Sequence, residues 1–349
     1  MKILPILSVL ALVFAVFFAC KKDESIDPNL PKVFVANEED GTLSVLDAAN
    51  EKYLATIKLA LSANEPLLCH NVQVAPDGKS VWVTALPGGH HGEEQLIVID
   101  PQTFRIVKRI PMGEGLHMAH VVLDEASKYA FVTAKESNRV IQLDAATFQV
   151  VKTFDLGTGE GPHGIRCSNG KLFVAHLGGQ KISVINIADG QITEIPANGK
   201  VVQTAVTPDG KFVFGSVYDT KEILRYDLEN GQSSLIALPS DAQGPLQMYP
   251  SPDSKWLLVC DQGMLDGRPA SNKVYFIDIA AAAVVHTLEV GNAAHGVVVD
   301  NHGEKAFVTN TLGNSVSIID LSSRSILSTI SVGKSPNGIS YWFPTGGMP

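Results

Sequence analysis

Histidine is the residue type with which this chain could do chemistry. Imidazole is a common protein ligand of zinc, copper and iron, and it titrates close to neutral pH. None of the ten histidines belongs to a short metal-binding motif such as His-Glu-x-x-His, so a site must be assembled from distant parts of the chain. The principal metal-ligand candidates are His70, His120, His163 and His295, and the secondary ones are His90, His91, His117 and His176.

Distant histidines converge only if a repeated element brings them to one axis, and such an element occurs seven times. Each repeat has a short strand that ends small or polar, then a second strand that ends on a carboxylate or an amide. Successive repeats begin 40 to 50 residues apart, a period that, with Gly and Asp turn signals, is typical of a β-propeller. The first strands are Val33–Asn37, Val81–Ala85, Ala130–Ala134, Leu172–His176, Phe212–Ser216, Trp256–Cys260 and Ala306–Asn310, and the second ones are Leu43–Asp47, Leu96–Asp100, Val140–Asp144, Ile182–Asn186, Ile223–Asp227, Val274–Asp278 and Val316–Asp320.

The repeats predict an all-β fold, a seven-bladed β-propeller of four-stranded antiparallel blades over residues 33–349. In each complete repeat an innermost strand precedes the two strands above, and an outer strand follows them. The chain starts on the second strand of the first blade and finishes on an unpartnered innermost strand, Pro336–Phe343. We therefore expect this last strand to join the first blade and close the ring, which removes two open sheet edges.

The alignment of the repeats places the four principal histidines at the start of innermost strands, at one mouth of the channel. His117 precedes the same place in the third blade, and His90, His91 and His176 are expected in loops of the same face. The other three blades carry Val202-Gln203, Leu246-Gln247 and Asn337-Gly338 at the equivalent places. Uncharged polar groups therefore also satisfy this position, and a purely structural role for the histidines stays open.

A leader precedes the repeats. An apolar run from Ile3 to Ala19 ends at Cys20 and is shorter than the roughly 20 residues of a spanning helix. Phe17-Phe18-Ala19-Cys20 resembles the lipobox of bacterial lipoproteins, and the charged run from Lys21 to Ser25 resembles the surface-export signal of Bacteroidetes lipoproteins. This resemblance implies a signal peptide over residues 1–20, a lipidated Cys20 and a tether over residues 21–32. We expect a lipid-anchored protein of the cell envelope, at the outer membrane and periplasmic or surface-exposed; an uncleaved anchor helix is the alternative.

The charge balance argues against a nucleic-acid partner. The net charge is −9, and no block of Lys and Arg is dense enough to follow a phosphate backbone. Beyond Cys20, the cysteines are Cys69, Cys167 and Cys260, which fall in three different blades, so no disulfide framework is expected. We expect a monomer that binds the membrane through its lipid, and a small ligand or a protein partner through the histidine-bearing face.

Several stretches resemble a known family of propeller repeats. Phe131-Val132-Thr133-Ala134 and Phe307-Val308-Thr309-Asn310 resemble the signature of the YVTN family, as do residues 206–211 and 314–320. The resemblance covers about residues 33 to 343 and recurs in every blade. It implies the propeller fold but no single activity, because this family includes binding proteins, surface proteins and periplasmic proteins.

The architecture is also similar to two propellers with metal-centred mouths. One is the propeller of nitrous oxide reductase, whose histidines hold a copper cluster, and the other is the haem-binding propeller of cytochrome-type nitrite reductases. Together with imidazole chemistry, this similarity makes copper, zinc or haem the expected cofactor. No cupredoxin segment and no Cys-x-x-Cys-His motif is present in the sequence, so a carrier, sensor or assembly partner is expected rather than a self-contained reductase.

Two other functions fit the sequence. Some seven-bladed propellers hydrolyse lactones, and acidic residues lie in predicted loops of the same face, although they form no paired constellation. A protein-interaction scaffold without a cofactor is the stronger alternative, because the irregular segment Asp261–Asn272 is longer than its counterparts and long loops on repeat scaffolds often bind partners. The acidic residues are Glu93, Glu94, Glu136, Glu160, Asp219 and Asp261.

Overall fold

The fold was examined in a computed structural model, which describes residues 26–62, 66–89, 92–344 and 346–347. These residues form seven antiparallel sheets around a central channel, each built on four strands. The predicted seven-bladed propeller is confirmed. The proposed signal peptide and Cys20 lie outside the described residues. No helix among the described residues is long and apolar enough to cross a membrane.

The strands follow the same order in blades 2 to 7, from the channel outward. Blade 2 contains β4 to β7, blade 3 contains β8 to β11, and the later blades continue in steps of four. The bounds in blades 2 to 4 are β4 Leu67–Val74, β5 Val81–Pro87, β6 Glu94–Ile99, β7 Ile106–Gly113, β8 Met118–Leu123, β9 Tyr129–Ala134, β10 Arg139–Asp144, β11 Val150–Asp155, β12 Pro162–Ser168, β13 Lys171–His176, β14 Lys181–Asn186 and β15 Ile192–Pro196. The bounds in blades 5 to 7 are β16 Val201–Val206, β17 Phe212–Val217, β18 Glu222–Asp227, β19 Ser233–Ala237, β20 Pro245–Pro250, β21 Trp256–Gly263, β22 Ala270–Asp278, β23 Ala283–Glu289, β24 Ala294–Val299, β25 Lys305–Asn310, β26 Ser315–Asp320 and β27 Ser325–Ser331.

Blade 1 is made from both ends of the described chain. Its order is β28, β1, β2, β3, and the two-residue strand β29 pairs with the free side of β28. The innermost strand β28 pairs antiparallel with β1, from Lys32 opposite Trp342 to Asn37 opposite Pro336. The predicted closure of the ring is therefore confirmed. The bounds are β1 Lys32–Asn37, β2 Thr42–Asp47, β3 Lys52–Lys58, β28 Pro336–Phe343 and β29 Gly346–Gly347.

The apolar core lies between the faces of adjacent blades. Inner and middle strands are almost fully buried, whereas the outer strands alternate or are largely exposed, as in β3 and β27. The recurring carboxylate or amide after the third strand of a blade has a structural cause. Asp47 accepts the backbone N–H groups of Ala49 and Asn50, and Asp100, Asp144, Asp227 and Asp320 make equivalent turns. These side chains close the turn into the outer strand.

Removal of the closing strand should unfold the whole ring. A chain truncated before Pro336 loses β28, including the buried Tyr341 and Trp342. It leaves β1 without its inner pairing partner and β4 without the adjacent innermost strand of blade 1. A chain truncated after Phe343 keeps β28 and is the matched control. Trp342→Ala should cost about 3–5 kcal/mol of unfolding free energy. Urea unfolding followed by circular dichroism measures both effects, and a cooperative transition that is unchanged without residues 336–349 would contradict the closure.

Candidate metal centre

Each innermost strand contains a β-bulge near its start, where the pairing register with the second strand shifts. In blade 2 the shift lies between Cys69 and Val72, and in blade 3 between Met118 and Val121. The other five blades have the same irregularity. Bulges aim side chains in directions that a regular strand does not allow. One bulge residue from every blade belongs to a set that we call the channel ring: Asn337, His70, His120, His163, Gln203, Gln247 and His295, in the order of blades 1 to 7.

A hydroxyl on the second strand holds the bulge in place. Thr133 Oγ1 accepts the backbone N–H of His120 at 3.0 Å and donates to the backbone carbonyl of His163 at 2.7 Å. Ser216 Oγ likewise accepts the N–H of Gln203 at 3.0 Å. The Thr133 hydroxyl therefore joins the ring residues of blades 3 and 4 through their backbones, which limits the freedom of both histidines.

Glycine after the ring residue lets neighbouring inner strands approach closely. A Cβ at Gly164 would lie 2.2 Å from Gln203 Oε1 and 2.6 Å from its Cα, so no larger residue fits without moving blade 5. Gly296 and Gly338 follow ring residues in the same way and face Asn337 and Asn71. This close approach makes the ring narrow enough for side chains of different blades to touch.

Three histidines of neighbouring blades meet at the axis. The ligand nitrogens of His70, His120 and His163 all lie within 4.8 Å of one another. Their rings contact each other edge to face, with centroids 4.9 Å apart for His120 and His163 and 5.7 Å apart for His70 and His163. The fourth principal candidate, His295, lies next to His70 at a centroid distance of 6.5 Å, outside this group of three.

In His163 and His70, the contact made by the outer imidazole nitrogen determines which nitrogen faces the centre of the channel ring. His163 Nδ1 lies 2.9 Å from the carbonyl oxygen of Val202, which can only accept, so Nδ1 carries the proton and Nε2 keeps its lone pair. His70 Nδ1 lies 3.3 Å from the Glu38 carboxylate, which Asn337 also contacts. Such partners orient ligand histidines in metal sites and raise their basicity.

Four imidazole nitrogens among the described residues are buried without a hydrogen-bond partner, and two of them belong to the channel ring, His120 Nε2 and His295 Nδ1. His120 is 1% exposed and His295 is 5% exposed. On its other side, His120 Nδ1 lies 3.5 Å from the amide nitrogen of Gln203, which can only donate, so this contact favours the proton on Nε2 and an ion that binds at Nε2 would displace that proton. A buried nitrogen without a partner costs free energy, and an ion at the centre of the ring would remove that cost.

Burial keeps these imidazoles neutral. It lowers the pKa of His163 to about 3 and that of His295 to about 4, with neighbouring His70 lowering both further. The pKa of His120 is well below its usual value, again because of burial and then because of His163 and His70. Burial opposes ionisation of Glu38, but its hydrogen bond and charge interaction with His70 leave the pKa of that carboxyl below its usual value. Neutral imidazole is the form that binds a metal ion.

The three histidines fit a metal ion after a small contraction. Zinc–nitrogen bonds of 2.0–2.1 Å in tetrahedral geometry separate the nitrogens by about 3.3 Å, so a spread of 4.8 Å requires movements of roughly 1 Å. Small rotations of the imidazole rings supply movements of that size. Three imidazoles leave a fourth position open, which is the arrangement of exchangeable and catalytic sites rather than of closed structural ones.

The secondary candidates do not join the ring. His117 is exposed, and its backbone N–H is held at 2.7 Å by Glu94 Oε1 in the loop before β8. His176 is the fully buried last residue of β13, as the predicted strand Leu172–His176 has it, and not a loop residue of the mouth; its Nε2 lies 2.8 Å from Ser183 Oγ and its Nδ1 3.3 Å from Glu160. His90 and His91 lie outside the described residues.

The burial of His176 has a simple cause. Asn37 in blade 1 and Asn310 in blade 7 occupy the same position, and each donates through Nδ2 to a serine on the next strand, Ser44 or Ser317, at 2.9 Å. His176 makes the same contact with Ser183. The Ser183–His176–Glu160 arrangement resembles a catalytic triad in its order, but Ser183 is only 1% exposed and belongs to the sheet. It is a structural bond of the repeat.

The segment Asp261–Asn272 is not an irregular loop. The strands β21 and β22 extend to Gly263 and from Ala270, and a short 3-10 turn at Leu265–Gly267 joins them. Arg268 fastens this hairpin to blade 5 through the carbonyls of Tyr218 (2.8 Å) and Asp219 (3.1 Å). Leu265 packs near Val202, Tyr218 and Leu246, so the hairpin covers the glutamine side of the channel ring.

Three acidic residues considered for hydrolysis have structural partners. Asp261 is fully buried and accepts the N–H groups of Gln243 and Gly244 and the hydroxyl of Tyr275. Glu94 accepts the N–H groups of His117 and Met118, both at 2.7 Å. Glu160 pairs with Lys181 at 3.0 Å. Their charges stabilise loops and strand ends, and none of them points to lactone hydrolysis.

The fold and the ring define a seven-bladed propeller with a histidine cluster in its channel. The profile of the YncE-like beta-propeller family matches residues 26–305, and the chain belongs to this family. A curated relative, the uncharacterized protein YncE of Salmonella typhimurium (strain LT2), is 25% identical over 134 residues. That match spans 38% of this chain and only 35% of the relative's length.

Solved structures similar to this chain share its fold at low identity. A chain of Kuenenia stuttgartiensis hydrazine synthase has a TM-score of 0.67 and 17% identity, over 87% of this chain and 99% of that one. Dihydro-heme d1 dehydrogenase NirN, solved in complex with DHE, has a TM-score of 0.62 and 14% identity, over 91% of this chain and 76% of that one. At these identities the likeness shows the fold alone.

The lowered histidine pKa values predict that acid destabilises the metal-free protein. His163, His176 and His295 stay neutral in the folded chain down to about pH 3–4, whereas the unfolded chain binds protons near pH 6.5. Stability is therefore complete above pH 6.5 and is lost as the pH falls from 6.5 towards 4. His163→Gln should reduce the slope of the unfolding free energy against pH by up to about 1.4 kcal/mol per pH unit in that window. Urea unfolding at several pH values measures this slope. A slope that is the same in the wild type and in His163→Gln would contradict a His163 that stays neutral in the folded chain.

Proposed function

We propose that this chain is a cell-envelope lipoprotein whose propeller binds a transition-metal ion at the channel ring. The observation that carries the proposal is the convergence of His70, His120 and His163, with ligand nitrogens within 4.8 Å. Glu38 and the Val202 carbonyl contact the outer nitrogens of His70 and His163, which leaves the opposite nitrogens for the ion. His295 is the fourth histidine of the site and lies beside the three.

The donor set favours zinc or copper. Neutral imidazoles suit both ions, whereas magnesium and calcium prefer oxygen ligands. Cys69 precedes His70 but offers no thiolate, because its Sγ is buried between the carbonyls of Asn37 and Thr42 and burial raises its pKa. The site is therefore a nitrogen site with an open position.

Partial exposure of His70 and His163 gives an ion access from the mouth of the channel. An ion with three protein ligands and an open fourth position can leave again or accept a ligand from a partner. These properties support a carrier or sensor that exchanges its metal with another molecule at this face, rather than a metal that only stabilises the fold.

A haem-type ligand is the second candidate, favoured by the fold likeness to dihydro-heme d1 dehydrogenase NirN. The imidazoles of His120 and His163 contact each other at a centroid distance of 4.9 Å, which leaves no gap for a macrocycle between them. A haem would have to lie above the ring, with one histidine as axial ligand. Absorption near the Soret band after incubation with haem distinguishes the two candidates, and a protein that binds neither metal nor haem would be a cofactor-free scaffold.

Binding of the ion should stabilise the protein in a way that depends on the ring histidines. At free metal about a hundredfold above Kd, linkage adds about 2.7 kcal/mol, which raises the Tm of a domain of roughly 300 residues by about 4 °C. His120→Gln and His163→Gln should abolish this shift. Both should keep the fold, because Gln203 and Gln247 occupy the position of His120 in blades 5 and 6, and the amide of Asn337 occupies the position of His163 in blade 1. Differential scanning fluorimetry with zinc or copper measures the shift.

His176→Asn is the matched control for this experiment. It removes a buried histidine outside the ring and inserts the residue that blades 1 and 7 carry at that position. The control variant should keep the full metal-dependent shift. A shift that survives in the ring variants, or one that disappears in His176→Asn, would contradict the assignment of the ion to the ring.

The lipid anchor at Cys20 is tested separately. Cys20→Ser removes the acylated thiol, so the protein should move from the membrane fraction to the soluble fraction of the cell envelope. Metal binding by the released propeller should not change, because the ring is built from residues 70 to 337. Immunoblots of fractionated cells measure the distribution, and identical fractionation of both proteins would contradict the anchor.

A further inference from the structure

A single charged side chain lies among the seven innermost strands. Their sequences contain no Asp, Glu or Lys, and the one Arg is Arg166, three residues beyond His163 in β12. Burial lowers the pKa of Arg166. Within the described part of the chain this guanidinium makes one hydrogen bond, from Nη1 to the carbonyl oxygen of Ile165 at 3.0 Å, and no ion pair. Four of its five N–H donors are thus without a protein acceptor there.

Arg166 lines a cavity at the channel mouth opposite the histidines. The cavity has a volume of about 160 Å³, and its wall includes Asn169, Thr207, Tyr249 and Pro250, which belong to the ends of innermost strands and the turns after them. A water molecule occupies about 30 Å³ in the liquid, so the cavity accommodates a molecule of a few heavy atoms. Burial raises the pKa of Tyr249 to about 12, and its hydroxyl is therefore neutral at this wall.

The charges around the cavity limit the kind of anion. Glu125 also lines it, and the Glu125 carboxylate already accepts the backbone N–H of Asn169 at 2.5 Å. One arginine opposed by one carboxylate disfavours a dianion such as phosphate. Val206, Pro208 and Pro250 supply an apolar wall beside the guanidinium. A guanidinium fork next to apolar wall atoms matches a carboxylate that carries a short carbon chain.

We propose that the lower channel mouth, around Arg166, is a binding site for a short-chain monocarboxylate. The carboxylate accepts hydrogen bonds from the Arg166 guanidinium, and its carbon chain lies against Val206 and Pro250. This site is separate from the metal centre, because it uses the opposite end of the channel and none of the channel-ring side chains.

The test uses purified propeller treated with EDTA, so that carboxylates cannot act through a metal at the channel ring. Isothermal titration with propionate and butyrate should give one site per chain, whereas propionamide, which has the same shape without the charge, should not bind. Arg166→Gln should weaken binding by about tenfold to a hundredfold, the range for losing hydrogen bonds to a charged group. Arg166→Lys keeps the charge without the fork and should bind with intermediate affinity.

Arg139→Gln, at an exposed position of β10, is the control for the loss of one positive charge and should bind as the wild type does. Equal affinity for phosphate and propionate would overturn the assignment of the ligand to the monocarboxylates. Absence of binding at millimolar propionate and butyrate, or equal binding by the wild type and Arg166→Gln, would overturn the site itself.

Discussion

The pairing of β28 with β1 is the interaction on which the rest of this structure depends. It joins residues from opposite ends of the domain and converts a row of seven sheets into a closed ring. Closure fixes the radius at which the innermost strands surround the axis, because each of them contacts the inner strand of the next blade. A bulge at the same place in every inner strand then brings side chains of different blades together, as it does for His70, His120 and His163. An open array would keep the blades but would not bring His70 and His163, 93 positions apart in the sequence, into contact.

Fold and chemistry are separable at the channel ring. Blades 5 and 6 carry Gln203 and Gln247 where blade 3 carries His120, and blade 1 carries Asn337 where blades 2 and 4 carry histidines, so the propeller does not require imidazole at these positions. The three adjacent histidines are grouped on one side, and the hairpin around Leu265 covers the glutamine side. The two ends of the channel also differ in charge. Neutral imidazoles and the Glu38 carboxylate favour a cation at one end, and Arg166 favours an anion at the other. One narrow channel therefore offers two chemically different mouths.

The sequence predicted the features that repeat and missed those that arise from single contacts. Strand order, blade number and closure by Pro336–Phe343 all follow from aligning the repeats. The side-chain contact of His176 did not, because His176 replaces an asparagine that bonds the next strand, and the alignment of strand ends alone does not reveal such a bond. The hairpin at Leu265–Gly267 was also missed, since Arg268 holds it by contacts to blade 5 that sequence spacing does not reveal. A closer comparison of His176 with Asn37 and Asn310 was the available signal.

The central claim is that three imidazoles of adjacent blades bind one ion, and X-ray absorption of the zinc-loaded protein tests it most directly. The account predicts three histidine nitrogens at about 2.0–2.1 Å, with one further light atom and no sulfur near 2.3 Å. The multiple-scattering pattern of imidazole should be lost in His163→Gln, which no longer holds the ion at the channel ring, and should keep its full amplitude in His176→Asn, whose three ligands are intact. A first shell of oxygen atoms without imidazole scattering would contradict the account.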